Sequence, residues 1–146
     1  MSSRGRIFAL VALAAALASG VVVVGVLATR NHVPAAAKPR TGRPPLSLDV
    51  GVRTDREAEA LRRAQTLYRA GQADAAARIF GRYSSLEAQV GFALADWPGS
   101  TVTRLEQLQA DHPRSSLVAL HLGLALYWVR RNDEALAAWQ AAARRE

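Results

Sequence analysis

Residues 116–146 read SLVALHLGLALYWVRRNDEALAAWQAAARRE. Apolar residues fill 117–129, Arg130-Arg131 interrupt them, and Asn132-Asp133-Glu134 opens a second run rich in alanine. An Asn followed by two acids suits a helix start, where a side-chain oxygen caps free amides and negative charge meets the positive helix end. The pattern predicts two helices, over 115–130 and 133–145, joined by a short turn. Gly123 and Ala135 are small enough to let two antiparallel helices approach closely at their crossing. Leu122, Leu126 and Trp139 are large enough to fill the space above and below it.

Working toward the N-terminus, the same signals recur. Thr54-Asp55-Arg56-Glu57 reads as a capping box with Thr54 as cap and Glu57 reaching back, and Ser84-Ser85-Leu86-Glu87 repeats the pattern. Breaks fall at Gly71, Pro98-Gly99, Pro113 and Arg131-Asn132. Six helices follow, near 55–70, 74–83, 85–96, 101–111, 115–130 and 133–145. No segment of useful length is read as alternating apolar and polar, so no strand is predicted. The expected fold class is all-α.

Six short helices invite a search for an internal period. Counting Ser116 as 1, Leu122, Gly123, Leu126, Ala135, Trp139 and Ala142 fall at offsets 7, 8, 11, 20, 24 and 27. This resembles the tetratricopeptide repeat, whose period is about 34 residues. From Glu57 the same frame places Ala64, Leu67, Ala76 and Phe80 at offsets 8, 11, 20 and 24, although Arg63 stands at the usual leucine position. The middle unit is the most divergent. With Gly91 at offset 8, Thr103 stands where a small residue is expected and Pro113 arrives two residues early. The resemblance implies a short α-solenoid of about three helix pairs, with units near 57–83, 84–113 and 116–146. An unrelated six-helix bundle is the alternative.

In that family the first helix of each pair lines a concave groove that receives a protein or peptide partner. Carried over by position, the candidate groove comprises Leu61, Gln65, Tyr68, Arg69, Phe92, Leu120, Leu124, Tyr127 and Trp128. Aromatic residues and arginine dominate interface energetics. Tyr68, Phe92 and Leu124 have packing between helices as an equal alternative. The paired cationic clamp with which chaperone-binding members hold a C-terminal carboxylate is missing, since Arg69 stands alone.

Charge and hydropathy divide the rest. The chain has 146 residues, half of them apolar, and a net charge of +7. Residues 1–56 carry eight Lys/Arg against two acids, whereas 57–146 carry eleven against ten. The basicity therefore belongs to the first third, and a near-neutral helical part disfavours nucleic acid as partner. Residues 7–28, IFALVALAAALASGVVVVGVLA, hold no charge. As a helix they would span roughly 33 Å at about 1.5 Å per residue, enough for a bilayer core. We read a basic head (1–6), a transmembrane signal anchor (7–28), a Pro/basic linker that is mostly disordered (29–53), and a helical-repeat domain (54–146). A cleaved signal peptide, giving a secreted repeat protein, is the alternative reading of the apolar stretch. A short basic head before the span resembles a bacterial signal anchor, which implies the cytoplasmic membrane with the repeat domain outside the cytoplasm. Linker cations touching lipid headgroups are a weaker alternative to a plain stalk.

Chemistry is scarce. Cysteine is absent, which removes disulfides and thiolate ligands. His32, His112 and His121 have no His or carboxylate at i+3 or i+4 that would make a metal pair, and His121 reads as a packed or partly exposed helical residue. No nucleophile elbow or phosphate loop occurs. No catalytic residue, cofactor or metal is expected. The reading is a non-catalytic binding or scaffolding module tethered to the membrane. The alternative is a self-assembling structural protein, its Ala-rich outer face at Ala138, Ala141 and Ala142 packing on another copy.

Overall fold

The computed structural model describes residues 38–143. Among these it forms six α-helices and no strand: α1 (Arg56–Arg69), α2 (Ala73–Phe80), α3 (Leu86–Ala95), α4 (Thr101–Asp111), α5 (Ser116–Trp128) and α6 (Asn132–Ala143). The chain is thus all-α over this range, and each helix lies within three residues of its expected bounds. The head, the apolar span 7–28 and linker residues 29–37 lie outside the described residues, as do the last three positions. No helix among the described residues is long and apolar enough to cross a membrane.

Two cap assignments are corrected by one residue. The side chain of Asp55, not Thr54, accepts the Ala58 amide at the start of α1, and Ser85, not Ser84, accepts the Ala88 amide at the start of α3. In both, the oxygen must reach the amide three residues on, and the observed first turns leave only Asp55 and Ser85 at that distance. Ser115 does the same for α5 through the Val118 amide. Asn132 is the first residue of α6, after Arg130 turns the chain at φ +66°.

Neighbouring helices pack in chain order, and α1 with α3 and α3 with α5 also touch. The even helices do not touch one another. The odd helices therefore form an inner layer and the even ones a splayed outer layer. The contacts that set the spacing involve glycine. A Cβ on Gly91 would lie 2.6 Å from the Phe80 ring, and one on Gly123 would run into the Trp139 indole, which donates Nε1–H to the Leu120 carbonyl at 3.2 Å. Ala64, Ala76, Ala135, Phe80 and Leu126 are buried, while Leu67, Trp139 and Ala142 are half-buried.

The middle pair resolves differently from its expected frame. Thr101 is fully buried and donates its hydroxyl to the Ala93 carbonyl at 2.8 Å, whereas Thr103 is exposed. Thr101 and Leu105 stand four apart and fully buried, as do Ala76 with Phe80 and Ala135 with the half-buried Trp139. Thr101 is the first residue of α4, whereas Ala76 and Ala135 are the fourth of α2 and α6, so the buried pair comes two residues earlier than the frame expects, which also accounts for the early Pro113. Asp96 closes that turn by accepting from the Ser100 amide at 3.0 Å and from its hydroxyl.

The largest departure is the linker. Residues 38–50 have no regular secondary structure, but they are packed rather than disordered. Pro44, Leu46, Leu48 and Val50 are buried, while Pro45, Ser47 and Asp49 are exposed. The compact unit begins at Lys38, not at residue 54. Because side chains of an extended segment alternate between two faces, Pro44-Pro45-Leu46-Ser47-Leu48-Asp49-Val50 presents one apolar edge. That edge joins the core of the helices.

Candidate functional site

The inner layer of odd helices is where a groove was expected, and residues 40–50 lie on it as a strap. On α1, Ala58, Leu61, Gln65 and Tyr68 form one buried stripe at helical spacing. Gln65 Nε2 donates to the Leu46 carbonyl at 3.0 Å, and Tyr68 Oη donates to the Pro44 carbonyl at 2.6 Å. Burial pushes the Tyr68 phenol up to about 12, so it stays a donor. The Arg43 guanidinium stands 5.5 Å from the Tyr68 ring centroid.

On α5, His121 is fully buried. Its Nε2 accepts the Ser47 amide at 3.2 Å, while Nδ1 lies 2.7 Å from the Leu117 carbonyl. Those partners specify the neutral ring with its proton on Nδ1. At the C-terminal end of α5 the Arg40 amide donates to the Trp128 carbonyl at 2.7 Å, and Arg40 Nε donates to the Tyr127 carbonyl at 3.0 Å. The Arg40 guanidinium also stacks 3.9 Å from the Tyr127 ring centroid. Past α3, Trp97 Nε1 donates to the Gly42 carbonyl at 3.1 Å. Increasing strap numbers pair with decreasing numbers on α1 and α5, so the strap runs antiparallel to both.

Most of these bonds reach strap backbone atoms, so they read an extended main chain, and the apolar contacts read every second side chain. Burying Pro44, Leu46, Leu48 and Val50 contributes on the order of 1.5–3 kcal/mol per large apolar side chain, and each hydrogen bond adds about 1 kcal/mol. Ordering the seven residues 44–50 costs roughly 1–2 kcal/mol each. The opposing sums are similar, so docking lies within a few kcal/mol of balance.

The nine candidate groove residues divide into three sets. Leu61, Gln65, Tyr68, Tyr127 and Trp128 belong to the strap-bearing face. Arg69 is exposed. Phe92, Leu120 and Leu124 lie elsewhere. Phe92 faces away from the strap into a recess of about 540 Å³ between α2 and α4, beside Gly81, Tyr83, Gln107 and Leu108. Arg104 stands 5.1 Å from its ring centroid. The reason is helical spacing: Phe92 stands four residues after Ala88 on one stripe of α3, and that stripe lines the recess between α2 and α4 rather than the strap-bearing face. Leu120 and Leu124 line a recess of about 580 Å³ with Leu117, Trp139, Ser47 and Asp49 at the edge of α5 and α6.

Several strap-binding residues were missed by sequence reasoning: Trp97, read only as part of an odd turn, His121, read as generic packing, and Arg40, Pro44, Leu46, Leu48 and Val50 themselves. A usable signal was present in the strict alternation of 44–50. Among the described residues no group of His, Asp or Glu is placed to hold a metal. Compared with protein-family models, with curated proteins and with solved structures, the chain matches none.

Proposed function

We propose that the chain is a non-catalytic peptide-binding module of the tetratricopeptide type, held at a membrane by residues 7–28 with its helical part outside the cytoplasm. The family reading is supported by the two helix layers, by the close packing at Gly91 and Gly123, and by the inward pairs at i and i+4 on the outer helices, two of them fully buried and the third half-buried at Trp139. The membrane reading rests on the uncharged 22-residue stretch and its basic flank.

One observation carries the binding function. The inner face of α1 and α5 already holds an extended segment through side-chain bonds to its backbone and buried alternate side chains. A surface built to that specification suits another extended segment with apolar residues at every second position. In the resting chain residues 40–50 fill it, so a partner must compete with the strap.

The exposed turn at Val52 allows a direct test. A protease site placed there would be cut in the folded full-length protein, leaving the strap bound without a covalent link. A labelled peptide of residues 38–52 should then exchange in saturably, and the same peptide carrying Leu46→Asp and Leu48→Asp should not. Failure of exchange while the nicked protein stays folded overturns the reading.

A further inference from the structure

We propose that His121 is an acid-sensitive latch on the strap: protonating its ring releases residues 44–50 from the inner face and opens the groove. This deepens the reading of the groove as a peptide site and rests on it for what enters next, but the release itself is a separate event. The geometry leaves the ring no neutral way to accept a proton. Nδ1–H is committed to the Leu117 carbonyl, and Nε2 is the acceptor for the Ser47 amide. A proton on Nε2 sets N–H against N–H and removes the bond that fixes the middle of the strap. It also creates a buried cation, which is costly without a paired carboxylate.

No such carboxylate is provided. The remainder of α5 holds no acid or further cation, and α3 holds only Glu87, in its first turn. The strap contributes Arg40, Arg43 and the exposed Asp49; α4 contributes Arg104, Glu106 and Asp111, and α6 contributes Asp133 and Glu134. On α1 the ionisable groups are Arg56, Glu57, Glu59, Arg62, Arg63, Tyr68 and Arg69. The affinity of His121 for a proton is lowered by burial and partly restored by the Leu117 carbonyl. The ring of a released strap state, open to water, returns toward the ordinary value of 6.5. The sign follows. Docking is at full strength above about 6.5 and weakens as pH falls below it, by up to tenfold per unit until the docked ring itself titrates. Because docking lies close to balance, one or two such factors move the population.

The test reads amide protection by NMR on the full-length chain in membrane mimetic, as protection factors that remove the intrinsic pH dependence of exchange. Between pH 7.5 and 5.5, protection of the Ser47 amide should fall by about tenfold, with the amides of α3 and α5 unchanged. His121→Gln, which keeps a neutral acceptor near Nε2, should hold the strap with no pH dependence. If that variant does not fold, the wild-type His121 Cε1–H titration stands in, and its midpoint should match that of the Ser47 amide. Strap protection that stays level with pH, a fall shared by all helices, or a pH dependence that survives in His121→Gln would each overturn the latch. Peptide capture by the nicked protein is read separately. Release without capture therefore counts against the binding reading, and capture without pH-dependent release counts against the latch.

Discussion

The two faces of α3 look out on surfaces of similar chemistry and opposite state. On the inner side the strap lies across α1 and α5, with Arg40 stacked on Tyr127 and Arg43 beside Tyr68. On the outer side, between α2 and α4, Arg104 stacks on Phe92 over an open recess. Both surfaces offer an aromatic ring, an arginine and small neighbours. What separates them is backbone recognition: the inner side bonds to strap main-chain atoms from Gln65, Tyr68, Trp97 and His121. Aromatic and arginine content therefore marks where side chains can stack, and side-chain donors and acceptors aimed outward at a main chain mark where a chain can lie.

The largest test of that contrast is deletion of an apolar anchor on each side. Leu46 is 2% exposed and Phe92 is half-buried. Leu46→Ala should cost about 2–3 kcal/mol of stability by urea denaturation, a loss capped by the docking energy of the strap itself, and Phe92→Ala less than half of that despite the larger side chain. Equal losses would mean the strap adds no more to the fold than a surface aromatic does.

The helices were legible because their signals are local. Caps, glycine breaks and the small residue facing a large one all lie within a dozen positions, and α1 to α6 appear where those signals put them. The strap was not legible for the opposite reason. Pro44 and Pro45 were read for what they forbid, helix and central strand, and the alternation of Leu46, Leu48 and Val50 beside them went unweighed because an extended segment without a strand partner is not an element. Its partners are distant in sequence: Ser47 meets His121 across 74 positions and Arg40 meets Tyr127 across 87. Nothing local to α5 says that His121 faces a backbone amide. Leu61, Gln65 and Tyr68 of α1 share one buried stripe because helical periodicity puts them there, and Gln65 and Tyr68 on it bond to the strap. Phe92 is not on that face: a frame carried over by analogy does not resolve which side of α3 residue 92 occupies.

Next in size is the joint between α2 and α3, which supports both faces. Gly91→Ala puts a methyl 2.6 Å from the Phe80 ring and should cost about 1–3 kcal/mol. Adding Phe80→Leu should recover part of the loss, because the double variant removes the ring that the methyl meets. A double variant no better than the sum of the two singles would place the strain elsewhere. Smaller again is Tyr68→Phe, which deletes the 2.6 Å bond to the Pro44 carbonyl while keeping the ring. A loss of about 1 kcal/mol is expected, together with faster exchange of the Ser47 amide and unchanged exchange in α3.

The smallest effects compare the two stacked arginines. Arg104 is exposed, and its side chain reaches only Phe92, Asp96 and Ser100, all within its own turn and recess. Arg104→Ala should change stability by no more than about 0.5 kcal/mol. Arg40 holds the first turn of the strap to the end of α5 by three contacts, and only the backbone one survives substitution. Arg40→Ala should therefore cost about 0.5–1.5 kcal/mol. Arg40→Lys should restore only part of that, since lysine keeps the charge over Tyr127 but lacks the rigid guanidinium that reaches the Tyr127 carbonyl at the same time. The loss should fall on the strap end, read as increased exchange of the amide at position 40 with Ser47 unchanged. If Arg40→Ala and Arg104→Ala prove alike, the arginine is incidental on both faces, and the strap is held by its apolar edge and its backbone bonds alone.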